Sequence, residues 1–172
     1  EIWFQDEARF GQQGTLCRQW ARKGTRPGGW RQTQFDYLYV LGAACPQTGI
    51  SVGLVCPNLN TDSVNAFFRE FEKETDPTRH TVMIWDQAGF HTCKNLKLPP
   101  NVTIIPLPPY SPQLNPIEKL WQYLRRHYWS NRVYKDYDAL RLAAVEAWQK
   151  TCLDTSKIKS VCRAKYVESE FI

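Results

Sequence analysis

No stretch of the chain approaches the roughly twenty consecutive apolar residues that a membrane span requires, which argues against a membrane-embedded protein. The start, Glu1-Ile2-Trp3-Phe4, has neither an initiator Met nor a signal-peptide pattern, so a trimmed N-terminus is expected. The six cysteines, Cys17, Cys45, Cys56, Cys93, Cys152 and Cys162, contain no C-x-x-C pair. Without a secretory context, scattered reduced thiols in a cytosolic compartment are expected rather than a disulfide framework or a zinc site. Internal repeats, low-complexity tracts and an interdomain linker are also missing, so residues 1–172 read as one domain. Between residues 11 and 34 there is no carboxylate at all.

What is present points to a folded chain. A hydrophobic content of 42%, with seven Trp, eight Tyr and eight Phe, supplies a substantial core and argues against disorder. The net charge of +5 permits a polyanionic partner without requiring one. The acid-free stretch carries Arg18, Arg22, Lys23, Arg26 and Arg31 with Trp20 and Trp30 among them, and Gly24, Pro27, Gly28 and Gly29 punctuate it. It reads as a basic loop or irregular hairpin suited to phosphate contact and base stacking.

Residues 1–7 alternate as a strand that ends in acids, with Ile2, Phe4 and Asp6 on one face and Trp3, Gln5 and Glu7 on the other. Phe35 to Ala44 and Ile50 to Cys56, joined by Pro46-Gln47-Thr48-Gly49, predict an antiparallel hairpin. Asn60, Thr61 or Asp62 can cap a helix whose apolar stripe is Val64, Phe67, Phe68 and Phe71. Val82 to Trp85, running into Asp86, and Val102 to Ile105 are continuous apolar runs of the kind expected for strands covered on both faces. Five prolines from Pro106 to Pro116 demand an extended, rigid connection. A helix then begins with Asn115 as N-cap, Pro116 at N1 and Glu118 at N3, and Ile117, Leu120, Trp121, Leu124 and Tyr128 form its stripe. Leu140, Ala143, Ala144, Ala147 and Trp148 mark a further helix, while the basic tail from Lys157 to Lys165 carries no clear pattern. Three antiparallel strands, a helix, two parallel strands and C-terminal helices predict an α/β, RNase H-like fold, a mixed five-stranded sheet with helices on both faces.

In that fold the first and fourth strands can lie side by side, bringing Asp6 and Asp86 together with Glu118 in the first turn of a helix. Acids converging from separate elements are what two-metal phosphodiester chemistry needs. Mg²⁺ and Mn²⁺ take hard oxygen ligands and fill their remaining positions with water and substrate phosphate. Each acid also has an ordinary explanation, a turn residue for Asp6 or Asp86 and a helix-start residue for Glu118.

The strings Trp85-Asp86-Gln87-Ala88-Gly89-Phe90-His91 and Pro108-Pro109-Tyr110-Ser111-Pro112-Gln113-Leu114-Asn115-Pro116-Ile117-Glu118-Lys119-Leu120-Trp121 resemble the DDE superfamily of endonucleases, in particular its mariner-like branch with many bacterial insertion-sequence transposases. Arg18-Gln19-Trp20-Ala21-Arg22-Lys23-Gly24-Thr25-Arg26-Pro27 is similar to the same family's basic segment. The resemblance implies a transposase catalytic domain that cuts double-stranded DNA at transposon ends and transfers a 3′-hydroxyl to target DNA. It implies two Mg²⁺ or Mn²⁺ ions on Asp6, Asp86 and Glu118, with Asp6 bridging, and a homodimer in the active complex in the prokaryotic cytosol. The family's helix-turn-helix region has no counterpart in these residues. Tyr110 and Ser111 beside the site, and Arg125 and Arg126 on the helix of Glu118, are candidate DNA contacts. Glu7, His91 and Asn115 are candidates for ordering the acids from behind. The alternatives are an RNase H-like nuclease without strand transfer and a non-catalytic, domesticated DNA-binding module.

Overall fold

The structure, a computed structural model, describes residues 1–14, 16–29, 32–86 and 95–168. Five strands form one sheet in the order β3-β2-β1-β4-β5: β1 (Ile2–Gly11), β2 (Tyr37–Ala44), β3 (Ser51–Cys56), β4 (Thr81–Trp85) and β5 (Val102–Pro106). The first three pair antiparallel, whereas β4 runs parallel to both β1 and β5. This is the RNase H-like mixed sheet that the sequence predicts.

Alternation along β1 divides the core. Trp3 faces α1 (Thr61–Glu74), where it meets Phe71 edge-on at 4.9 Å, and Phe67, Phe68, Leu41 and Met83 complete that layer. Ala8 and Phe10, on the opposite face, pack with α2 (Ile117–Leu124) and α3 (Tyr137–Cys152). Asn60 caps α1 by accepting from Ser63 N at 2.9 Å. Asp136 caps α3 by accepting from Ala139 N at 2.8 Å.

Four expectations need correction. Strand β1 does not end in acids: it continues to Gly11, because Ala8 and Phe10 keep the alternation going and pair with Val40 and Leu38. Strand β5 is not covered on both faces. It is the last strand of the sheet, and Thr103, Ile105 and Pro106 are exposed, a position where a proline costs no ladder bond. The helix of Glu118 is regular only to Leu124, after which Arg125–Trp129 forms a turn of π-helix. The basic tail is helical: α4 (Thr155–Val161) starts at the Asp154 cap and buries Ile158, and α5 (Lys165–Glu168) follows.

Candidate active site

The parallel pairing of β1 with β4 ends at Phe4 opposite Ile84. Beyond that point the strands part, and Asp6 on β1 and Asp86 just after β4 emerge at the same end of the sheet. The segment after β5 then crosses this end: Leu107 donates its N–H to Trp85 O at 2.7 Å, and the prolines carry the chain over to α2. The result is a cleft of about 510 Å³ lined by Asp6, Asp86 and Glu118, with a wall from Leu107 to Pro112 and Asn115 at its base. Among the described residues the acids do not close into a compact three-acid cluster. They face a shared space wide enough for water and phosphate oxygens, and carboxylates of this kind are the donors hard divalent ions take.

Asn115 sets the entry to α2. Its backbone is extended and its carbonyl accepts from Glu118 N at 3.2 Å, while its side chain accepts from Ile117 N at 3.3 Å and donates to Gln5 O at 2.9 Å. It therefore acts as the cap the sequence predicts, with Pro116 already helical, and ties the helix to β1 one residue before Asp6. From the other side Lys119 donates to Arg163 O, and Tyr166 of α5 donates to Leu114 O at 2.7 Å, so the C-terminal segment braces α2 and the chain leading into it.

Asp6 is the most perturbed acid of the site. Burial, then the neighbouring charges of Glu7 and Glu118, push its carboxyl from an ordinary 3.8 up to about 7, against hydrogen bonds from the Glu7 backbone and Trp121 that favour the anion. Trp121 was legible as a core residue, and it is 1% exposed, but its indole Nε1 also donates to Asp6 Oδ2 at 2.9 Å. Nothing in the helical stripe distinguishes it from its neighbours; its place three residues after Glu118 is the single sequence hint.

Residues 1–141 match the description DDE superfamily endonuclease. The chain is also 41% identical over 125 residues to the uncharacterized protein y4pE/y4sA of Sinorhizobium fredii, covering 73% of this chain and 93% of that protein. The chain belongs to the DDE superfamily of endonucleases. Its fold is similar to solved structures of the Mos1 transposase. A pre-cleavage transpososome aligns with a TM-score of 0.70 at 13% identity, over 94% of this chain and 51% of that one. A mariner Mos1 paired-end complex with Mn aligns at 0.60 and 12%, over 99% and 56%. The chain thus spans about half the length of these Mos1 chains.

In this DDE chain the other candidate residues are spread over the cleft, an exposed arm and separate surfaces. Tyr110 and Ser111 line the cleft with the acids; Tyr110 is fully exposed and held at φ 56°, a backbone position that favours glycine. Arg18, Trp20, Arg22, Lys23 and Arg26 lie on an exposed arm between β1 and β2, turned at Gly24, where φ is 83°. The arm is fastened at both ends to the segment after the π-turn. Cys17 N donates to Asn131 Oδ1 at 3.1 Å and Asn131 Nδ2 donates to Cys17 O at 2.9 Å; Gln32 Nε2 donates to Tyr134 O and Tyr134 N to Gln32 Oε1, both at 2.6 Å. Arg125 lines a separate polar groove with Arg9 and Tyr37, and Arg126 is exposed. Glu7 faces away from the cleft beside Gln5, whose Nε2 donates to it at 3.0 Å. Arg31 and His91 lie outside the described residues.

Proposed function

We propose that residues 1–172 act as the catalytic domain of a DNA transposase, cleaving phosphodiesters at transposon ends and joining the freed 3′-hydroxyl to target DNA. The observation that carries this reading is the convergence of Asp6, Asp86 and Glu118, from three separate elements, on one cleft in a chain of the DDE superfamily. The donor set fits Mg²⁺ or Mn²⁺. It is all hard oxygen, it leaves room for further ligands, and it includes a half-buried carboxyl whose charge the neighbouring acids oppose and a cation would favour. Held by Asp6, Asp86 and Glu118, such ions would supply activation of the attacking oxygen and neutralisation of the leaving one.

The protein's own part is positioning. The proline-rich wall restricts how a strand enters, Asn115 holds Glu118 in register with β1, and the backbone bends at Tyr110 to expose its ring beside the acids. Tyr110 and Ser111 contact the strand being cut, while Arg18, Arg22, Lys23 and Arg26, joined by Arg31, hold flanking phosphates and Trp20 offers a stacking surface. Arg125 and Arg126 extend the basic surface, His91 supports the acids, and Glu7 acts on Asp6 through its charge from the opposite face. The Mos1 structures include paired-end and strand-transfer complexes, and a homodimer on two DNA ends is the corresponding proposal for this chain, in the prokaryotic cytosol.

The test is nicking and 3′-hydroxyl strand transfer on short DNA duplexes with Mg²⁺ or Mn²⁺, comparing the wild-type chain with Asp86→Ala. Metal-dependent products lost in the variant are expected. Nicking without joined product assigns a nuclease instead, and products that persist in Asp86→Ala remove the proposed site.

A further inference from the structure

Helix α2 is joined to β1 at two consecutive residues. Three positions before Glu118, Asn115 Nδ2 donates to the Gln5 carbonyl at 2.9 Å; three positions after it, Trp121 Nε1 donates to Asp6 Oδ2 at 2.9 Å. Residues three apart share a helical face, so the turn that carries Glu118 to the cleft also carries the indole to Asp6. The indole is packed closely against the sheet. Asp6 is paired with Gly42 on β2, and a Cβ at Gly42 would meet Trp121 Cη2 at 2.7 Å and Trp148 Cη2 at 2.8 Å. Trp121 therefore fills the space left by the missing side chain beside Asp6, with Trp148 at 6.1 Å between ring centres closing the other side.

A buried indole N–H that reaches a polar partner is satisfied wherever that partner is. Here the partner is a carboxylate that lines the cleft, so the bond has a consequence beyond packing. A carboxylate with one oxygen held by a fixed donor cannot rotate freely, and donors behind a metal-binding carboxylate orient it for its ion.

We propose that Trp121 is a positioning residue for Asp6: its N–H fixes the rotation of the Asp6 carboxylate, and with Asn115 it fixes the placement of Glu118 relative to that carboxylate, so that both are presented to a divalent cation. This rests on the metal-dependent reading above. It differs from a core role in assigning the effect to one N–H group rather than to the volume of the ring.

The experiment separates the two. Trp121→Phe removes the N–H but also leaves a void beside Gly42. Trp121→β-(3-benzothienyl)alanine keeps the shape and replaces only the N–H by sulfur. Mn²⁺ binding is measured by the electron paramagnetic resonance signal of the free ion, and melting is followed in EDTA. The indole ¹H–¹⁵N resonance of wild-type Trp121, assigned by its absence from Trp121→Phe, is followed through a Mg²⁺ titration. The isosteric variant is expected to raise the Mn²⁺ Kd about 10- to 100-fold while still melting cooperatively in EDTA, and the indole resonance to move at the midpoint of Mg²⁺ binding. An unchanged Mn²⁺ Kd in the isosteric variant, or an indole resonance indifferent to Mg²⁺, overturns the role of Trp121 and leaves the proposed function standing. A wild-type chain that takes up no Mn²⁺ overturns both.

Discussion

At Asp6 the protein holds a carboxyl that titrates near neutrality, and the direction of its effect on stability follows from that. The folded chain binds this proton more tightly than the unfolded chain, since the carboxyl sits at about 7 rather than 3.8. The stability it contributes is complete below about pH 4 and is lost as the pH rises through about 7, above which the folded state holds a half-buried charge beside Glu7 and Glu118. In EDTA, Asp6→Asn is therefore expected to be more stable than wild type at pH 8, by a few kcal/mol at about 1.36 kcal/mol per pH unit, and to match it near pH 4. Urea unfolding of both chains across this range measures the difference; equal stabilities at pH 8 would remove the strain assigned to Asp6. That Asp6 shares one cleft with Asp86 and Glu118 was legible from the strand order and from the strings around the latter two. The Trp121 bond was not, because it links residues 115 positions apart and leaves no periodic trace.

At the scale of elements, the helices on the sheet are seated by missing side chains. Gly42 and Gly53 are paired across β2 and β3, in line with Asp6, and together they form the floor on which Trp121 and Trp148 lie. A Cβ at Gly53 would fall 2.3 Å from Trp148 Cε2 and 2.5 Å from Cζ2. In a strand, alanine gains roughly 0.5–1 kcal/mol over glycine. Displacing a rigid indole from a packed layer costs about 1–3 kcal/mol, so the clash wins. Gly53→Ala is expected to lower stability to chemical denaturation, and a stability at or above wild type would mean that Trp148 repacks without strain. The elements themselves were legible where period and caps agree, as in α1 with its Asn60 cap and in β4. The length of β1 was missed because the acids looked like a strand end, and β5 was misread because composition does not reveal that a strand lies at an edge. The helix α4 had a usable signal in the Asp154 cap and the spacing of Ile158 and Cys162, both buried, but lysines surround them.

Over the whole molecule, the sheet order could be inferred because β1 and β4 must be neighbours for Asp6 and Asp86 to meet; the attachment of the basic arm could not. Its anchors, Cys17 to Asn131 and Gln32 to Tyr134, are side-chain bonds to a segment that follows the helix of Glu118. An arm fastened there keeps a fixed relation to the helix of Glu118 while its charges stay in solvent. This separates its contribution to stability from its contribution to binding. Replacing Arg18, Arg22, Lys23 and Arg26 together by Gln removes no anchor and no buried surface, so the melting temperature should stay near that of wild type. If these four side chains each neutralise a phosphate, log K for duplex DNA should lose about 0.9 of salt slope per contact, close to four units in all. Fluorescence anisotropy over a range of salt concentrations reads that slope directly. A slope equal to wild type would assign the arm to something other than the DNA backbone, whereas a reduced slope with intact melting would identify it as an electrostatic grip carried on the RNase H-like fold.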